Sequence, residues 1–320
     1  MKSVIAAISL LGSLFIVSTE ALAQQDTDQQ KAVLITGAST GIGRNMAETL
    51  AAEGYFIFAG ARKQADIDAL SAMDNIQGIR LDVTIQEEID AAVETITREG
   101  RGLYGLVNNA GVSVSGPLIE IDEDDMQFQM DVNLFGPYRV TKAFAPLLIE
   151  SKGRITTTGS ISGILSGVLY GPYSMSKHAV EAYTDSLAAE MEKFDVEVSV
   201  IEPGNYNSAI VGAKIQRREE RGQVAAGSLY EEEIEAMLMR PADRSVYKEP
   251  DEVSAALSHF LSAENPKRRY MVVPREEEAE VTIRQIIGEM TQLNQDQPYT
   301  YSRDELIAFL DEALAESEEE

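Results

Sequence analysis

"TGASTGIG", Thr36 to Gly43, follows the apolar run "AVLIT" (Ala32 to Thr36) and leads into a helix-period segment, "RNMAETLAAEG". A strand that turns tightly into a helix brings backbone N–H groups and the positive end of a helix dipole to one point, which suits a pyrophosphate. Gly37, Gly41 and Gly43 let the chain make that turn and let a ligand approach the backbone. A purely structural tight turn is the competing reading. The position of this turn, as the first strand-to-helix connection of the chain, favours a dinucleotide site.

Outward from this turn, short apolar runs alternate with amphipathic segments. Strands are expected at 32–36, 55–60, 76–81, 103–109, 153–159, 196–204 and 269–274, with helices between them. Near-continuous apolar strands imply burial on both faces, and right-handed crossovers then predict an α/β fold: a doubly wound, parallel, seven-stranded sheet with helices on both faces. The expected domain covers 30–275. Within it, the long polar insertion at about 205–248 sits after a strand ending in Pro203 and Gly204, where it would cover a ligand. A helical extension with an acidic tail follows over 276–320, read as a packing element rather than an oligomer contact.

The 320 residues carry 53 Asp and Glu against 27 Lys and Arg, a net charge of −26, so no nucleic-acid partner is expected. With no cysteine, disulfides, thiolate metal sites and a thiol nucleophile are all excluded. The two histidines, His178 and His259, stand in no metal-ligand spacing, and no metal is expected. Chemistry must then come from other groups. In "YSMSKHAV" Tyr173 and Lys177 lie four residues apart, on one face of a helix.

"TGASTGIG", "NNAG" (Asn108 to Gly111), "MDVNLFG" around Asn133, "TGSISG" around Ser160, "YSMSK" and "PGNYNS" (Pro203 to Ser208) resemble, in order and spacing, the motifs of the short-chain dehydrogenase/reductase family. The resemblance spans roughly 30–275 and is nearest to the branch of 17β-hydroxysteroid and retinol dehydrogenases. It implies a Rossmann sheet, a nicotinamide cofactor and catalysis by Asn133, Ser160, Tyr173 and Lys177. Tyr173 would exchange a proton with the substrate oxygen, Ser160 would hydrogen-bond the same oxygen, and Asn133 would hold a helix and a proton-relaying water. A phenol of pKa ~10 needs help to act near neutrality, and Lys177, together with the oxidised nicotinamide, would lower it by about two units. The cofactor site implied by the resemblance comprises Gly37, Ser39, Thr40, Gly41, Ile42, Gly43, Arg62, Asp82, Val83, Asn109, Ala110, Gly111, Tyr173, Lys177, Pro203, Gly204 and Ser208. Asp82 also reads as a helix cap before "TIQEEID".

After the second strand the chain reads "AGARKQ", with Ala61 where an NAD site carries an acid, and Arg62 and Lys63 next. NADP is therefore expected in preference to NAD. The implied reaction moves hydride between the nicotinamide and a small-molecule secondary alcohol or ketone. Val112, Val114, Leu165, Val168, Leu169, Tyr206 and Ile210 are expected to form apolar walls for a steroid- or retinoid-like substrate. A non-catalytic dinucleotide-sensing protein of the same fold is the alternative. The resemblance also implies a homo-oligomer, dimer or tetramer, paired through the helices that follow "NNAG" and contain "YSMSK".

The first residues differ from the rest. Lys2, an uncharged and mostly apolar run from Ser3 to Thr19, and "ALA" ending at Ala23 match a secretory signal peptide. Export, for instance to a periplasm, is expected with cleavage after Ala23; a membrane anchor or a cytoplasmic protein are the alternatives. N-terminal analysis of the native protein checks this: a chain beginning at Gln24 supports export, and one retaining Met1 or Lys2 an anchor.

Overall fold

All seven apolar runs form strands: β1 (Ala32–Ile35), β2 (Phe56–Ala61), β3 (Ile76–Arg80), β4 (Gly105–Asn108), β5 (Arg154–Thr158), β6 (Glu197–Pro203) and β7 (Arg269–Val272). They make one parallel sheet in the order β3-β2-β1-β4-β5-β6-β7. The computed structural model describes residues 30–239 and 244–319, so the apolar leader and the Ala23 site lie outside the described residues. Among those described, no helix is long and apolar enough to cross a membrane.

Side chains alternate across the strands, and this period builds two core layers. Val33 and Ile35 of β1 pack with Met46 and Leu50 of α1 (Gly41–Ala52) and with Leu257 and Phe260 of α9 (Asp251–Ser262). Leu34 faces the other way, with Ile89 and Ile96 of α3 (Gln86–Glu99), Val140 and Phe144 of α5 (Gly136–Ser151), and Met191 of α6 (Gly171–Met191). The inner strands are buried on both faces, as their continuous apolar runs predict, while the edge strands β3 and β7 are only partly buried. The smaller α2 (Gln64–Ser71) and α4 (Glu123–Met130) complete the helices before β6.

The polar stretch 205–248 carries α7 (Ile210–Glu220) and α8 (Glu231–Leu238). Its ends are tied together, because Asn207 N–H donates to the Lys248 carbonyl at 2.8 Å. Asp125, buried at the start of α4, latches its middle: Arg217 reaches it at 2.6 Å, Arg221 at 3.2 Å and Gln223 at 2.5 Å.

The expected packing role of the carboxyl-terminal helices is corrected. On α10 (Glu276–Leu293) only Glu278 and Thr282 are buried, while Ile283, Ile286, Ile287 and Met290 are exposed. On α11 (Arg303–Glu319), Phe309, Leu310 and Leu314 are exposed as well. Attachment runs through the first turn of α10, where the Glu278 carboxylate accepts from Asn205 N–H at 2.8 Å and pairs with Arg275.

Between α6 and β6 two carboxyls come together, Glu202 buried and Glu181 half-buried with its Oε1 enclosed, and Arg269 lies 3.4 Å from Glu181. Burial first, and then the neighbouring carboxylate, pushes Glu202 up to about 8. The pair shares one proton, since two adjacent buried carboxylates cannot both ionise. Below the ordinary carboxylate range Glu202 is protonated in folded and unfolded chains alike. As pH rises to about 8 only the unfolded chain releases the proton, so this group's stabilising contribution is lost. Glu202→Gln, neutral throughout, is therefore expected to gain thermal midpoint relative to the parent as pH rises from about 5 to about 8. A difference in melting temperature that stays flat across that window would refute the shared proton.

Candidate active site

β1 is flanked by β2 and β4, so the strand order reverses beside it and leaves a crevice at the carboxyl ends. A cavity of about 290 Å³ lies there. Every nucleotide-site residue expected from the sequence lines it: Gly37, Ser39, Thr40, Gly41, Ile42 and Gly43 from the first turn, Arg62 after β2, Asp82 and Val83 after β3, Asn109, Ala110 and Gly111 after β4, and Pro203, Gly204 and Ser208 after β6. Tyr173 and Lys177 line it too.

The helix opens earlier than its apolar period suggests, at Gly41. Thr40 gives its end no side-chain cap and the first turn holds no acid, so the positive end of α1 is left for a ligand. Gly37 and Gly41 have φ of +65° and +56°. A Cβ at Gly37 would sit 2.8 Å from Ala110 Cα, and one at Gly43 would collide with the Asn109 side-chain amide. Thr36, which the sequence reading passed over, joins the two loops: its hydroxyl accepts from Asn109 N–H and Ala110 N–H, both at 3.0 Å.

Asp82 caps no helix, because α3 starts at Gln86 with Ile85 before it. Its carboxylate instead accepts from Thr84 N–H at 2.9 Å and the Thr84 hydroxyl at 2.7 Å, and faces Arg62 across 3.9 Å.

Ser160, on the turn after β5, stands close enough to the Tyr173 phenol to act on its proton, and both line the same cavity. Tyr173 and Lys177 occupy the first two turns of α6, started by Pro172, and the Lys177 ammonium lies 5.7 Å from the Tyr173 ring centre. It donates to the Thr158 carbonyl at 2.7 Å. Among the chain's own groups burial dominates. Burial raises the Tyr173 pKa, with Ser160 opposing, and burial pushes Lys177 down to about 8, with Glu181 opposing. Desolvation penalises both charged forms, so lysine proximity alone does not lower the phenol.

Asn133 does not line the cavity. It sits in a π-helical turn, Asp131–Phe135, where its side chain bonds Val112 N–H at 2.8 Å, Val112 O at 3.0 Å and the Ser176 hydroxyl at 3.1 Å. These bonds hold the loop after β4 against α6, and none goes to Lys177. Gln129, one turn earlier, adds a bond to Val114 N–H at 2.6 Å and one to Ser176 at 3.3 Å. Gln129 and Ser176 were missed, although Ser176 lies inside "YSMSK".

A second cavity of about 610 Å³ adjoins the first, and Ser160 and Tyr173 line both. Of the expected apolar walls, Leu165, Tyr206 and Ile210 face it and Val112 faces the first cavity. The others are corrected. Val114 and Leu169 are buried, Leu169 in a small core with Ile234 and Met237, and Val168 is 66% exposed. Among the described residues no group of three or more potential ligands could hold a metal.

Residues 31–219 match the family profile described as short chain dehydrogenase. D-beta-hydroxybutyrate dehydrogenase, mitochondrial, of Bos taurus is 34% identical over 273 residues, covering 78% of each chain. Retinol dehydrogenase 16 of Mus musculus is 32% identical over 255 residues, covering 76% of this chain and 80% of its own. A short chain dehydrogenase/reductase from Burkholderia phymatum, solved in complex with NAD, superposes with a TM-score of 0.70 at 25% identity, covering 86% of this chain and 98% of its own. The glycine turn, the Ser160, Tyr173 and Lys177 cluster and the profile match describe one thing, and the chain belongs to the short-chain dehydrogenase/reductase family.

Proposed function

We propose that the chain is an NAD(P)-dependent oxidoreductase interconverting a secondary alcohol and a ketone. The carrying observation is that Ser160 and Tyr173 stand together where the two cavities meet. An oxygen held there by both hydroxyls has a proton donor beside it. A nicotinamide held by the Gly37–Gly43 turn and the Asn109–Gly111 loop would supply hydride to the carbonyl carbon, or accept it in the reverse direction. As the carbonyl electron pair moves to oxygen, Tyr173 gives that oxygen its proton, and Lys177 stands behind the phenol to restore it. Asn133 acts as a brace for the loop after β4. The 205–248 segment is the substrate cover, supported by α7 and α8 lining the second cavity. Leu165, Ile210, Met237 and Leu238 on its walls support a largely apolar substrate body, in keeping with the retinol dehydrogenase among the relatives. Self-association through α5 and α6 is supported by exposed Tyr138 and Met175, with Phe135 beside them.

Reduced-nicotinamide absorbance, followed with both cofactors against steroids, retinoids and keto compounds, tests the reaction. Tyr173→Phe should lower turnover by ~10² to 10⁴ while cofactor still binds; near-normal turnover would refute the assignment.

NADP is the proposed preference. Ala61 ends β2 without a carboxylate, and Arg62 lines the cleft, with Asp82 at 3.9 Å as its ion-pair partner. Lys63 does not line the cleft; it precedes the first turn of α2. Dissociation constants should favour NADP by about tenfold or more, as a charge-assisted phosphate contact allows, and Arg62→Gln should erase the difference. Tighter binding of NAD by the parent protein would overturn the preference.

A further inference from the structure

In a chain of net charge −26, no described residue lining the second cavity is acidic, and four are cationic: Lys214, Arg218, Arg244 and Arg275. The arginines of the covering segment divide sharply. Arg217 pairs with Asp125 at 2.6 Å and lies 3.8 Å over the Phe128 ring, and Arg221, just past the end of α7, pairs with Asp125 and Asp122. Arg275 pairs with Glu278, and Arg244 donates to the Tyr206 carbonyl at 3.2 Å. Arg218 differs. It is 7% exposed, its guanidinium has no hydrogen bond or ion pair among the described residues, and its Nε is fully buried.

A buried guanidinium without an anion is costly, and losing solvation lowers its pKa. One turn back on the same face of α7 stands Lys214, 5.0 Å over the Tyr170 ring, and another turn back is Ile210, which lines both cavities. Arg218 lines the second cavity and not the nucleotide cleft, so its missing anion belongs to the substrate and not to the cofactor's phosphates.

We propose that the substrate is a hydroxy or keto acid, an apolar body bearing a carboxylate that Arg218 binds through its forked N–H donors. This rests on the alcohol–ketone reading above and narrows it, because a neutral steroid or retinoid leaves Arg218 buried and unpaired. Carboxylate and guanidinium match in plane and in donor spacing, which makes the acid group a selectivity element and not only a solubilising one.

The test compares kcat/KM for 3-oxohexanoate and methyl 3-oxohexanoate, with the cofactor that binds more tightly. The acid should be preferred by at least about tenfold, and Arg218→Met should remove that preference, with Arg218→Lys intermediate. Equal use of acid and ester by the parent, or a ratio unchanged in Arg218→Met, overturns the proposal. Should Arg218→Met not fold, judged by its thermal melt, a several-fold lower ratio in Arg218→Lys supports it and an unchanged ratio refutes it.

Calorimetry of the cofactor-bound full chain with octanoate, octanamide and octyl phosphate separates this from failure of the hydride reading. If neither ester nor acid turns over, octanoate binding that is lost in Arg218→Met still supports the carboxylate site. Equal binding of octanamide, or tighter binding of octyl phosphate, overturns it.

Discussion

Two backbones meet at the carboxyl ends of β1 and β4, and neither meeting residue tolerates a side chain there. Gly37 lies against Ala110 and Gly43 against Asn109, at separations that a Cβ would violate. The Asn109 amide donates to the carbonyls of Thr36 and Gly37, at 3.1 and 3.2 Å, and the Thr36 hydroxyl takes two backbone N–H groups in return. These bonds clamp the start of α1 to the loop after β4. The nucleotide cleft is the space this clamp leaves beside the bare end of α1. The loop it holds is the one that Asn133 and Gln129 grip from the other side, so the first turn also sets the position of the wall facing α6.

α6 carries the proposed catalytic pair on one stripe. Tyr173, Lys177 and Glu181 recur every four residues, and the stripe runs from the cavity junction down toward the sheet. Burial dominates each group: it raises the phenol, lowers the ammonium and raises the carboxyl. All three shifts favour the uncharged form, the common signature of desolvation. The Glu181–Glu202 pair then sits one turn below Lys177 as a buried acid sharing a proton, tied to the outside through Arg269 and Asp185 at 2.6 Å. A helix anchored this way at its middle presents its first turn rigidly, which is what positions Ser160 and Tyr173 against each other.

Net charge describes this protein's surface poorly as a guide to its interior. The acidic excess leaves Asp125 and Asp122 to hold the covering segment by Arg217 and Arg221, while no described residue lining the second cavity is acidic. The segment is also anchored by packing, through buried Tyr206 in one core layer and through Ile234 and Met237 against Leu169. Ion-paired Arg217 and unpaired Arg218 are neighbours on the same short helix, with Arg221 just past its end.

The sequence by itself determined what local periodicity and chain order carry. Seven apolar runs became seven strands because burial leaves a continuous apolar pattern; most expected ends overshot by one or two residues, where a strand gives way to its cleft loop, and β2 ran one residue further than expected. The glycine turn and the Tyr173–Lys177 pair could be read from one turn and one helical repeat, whereas Ser160 entered through the family resemblance. Tertiary structure alone decided the rest. It gave Asn133 its partners at Val112 and Ser176, joined Glu181 to Glu202, sent Val168 outward and Leu169 into a core, and left α10 and α11 exposed. It also separated Arg217 from Arg218, adjacent in the chain and different in every contact. Such pairings join residues tens of positions apart, and they depend on which faces two elements turn to each other; a local repeat does not carry that information.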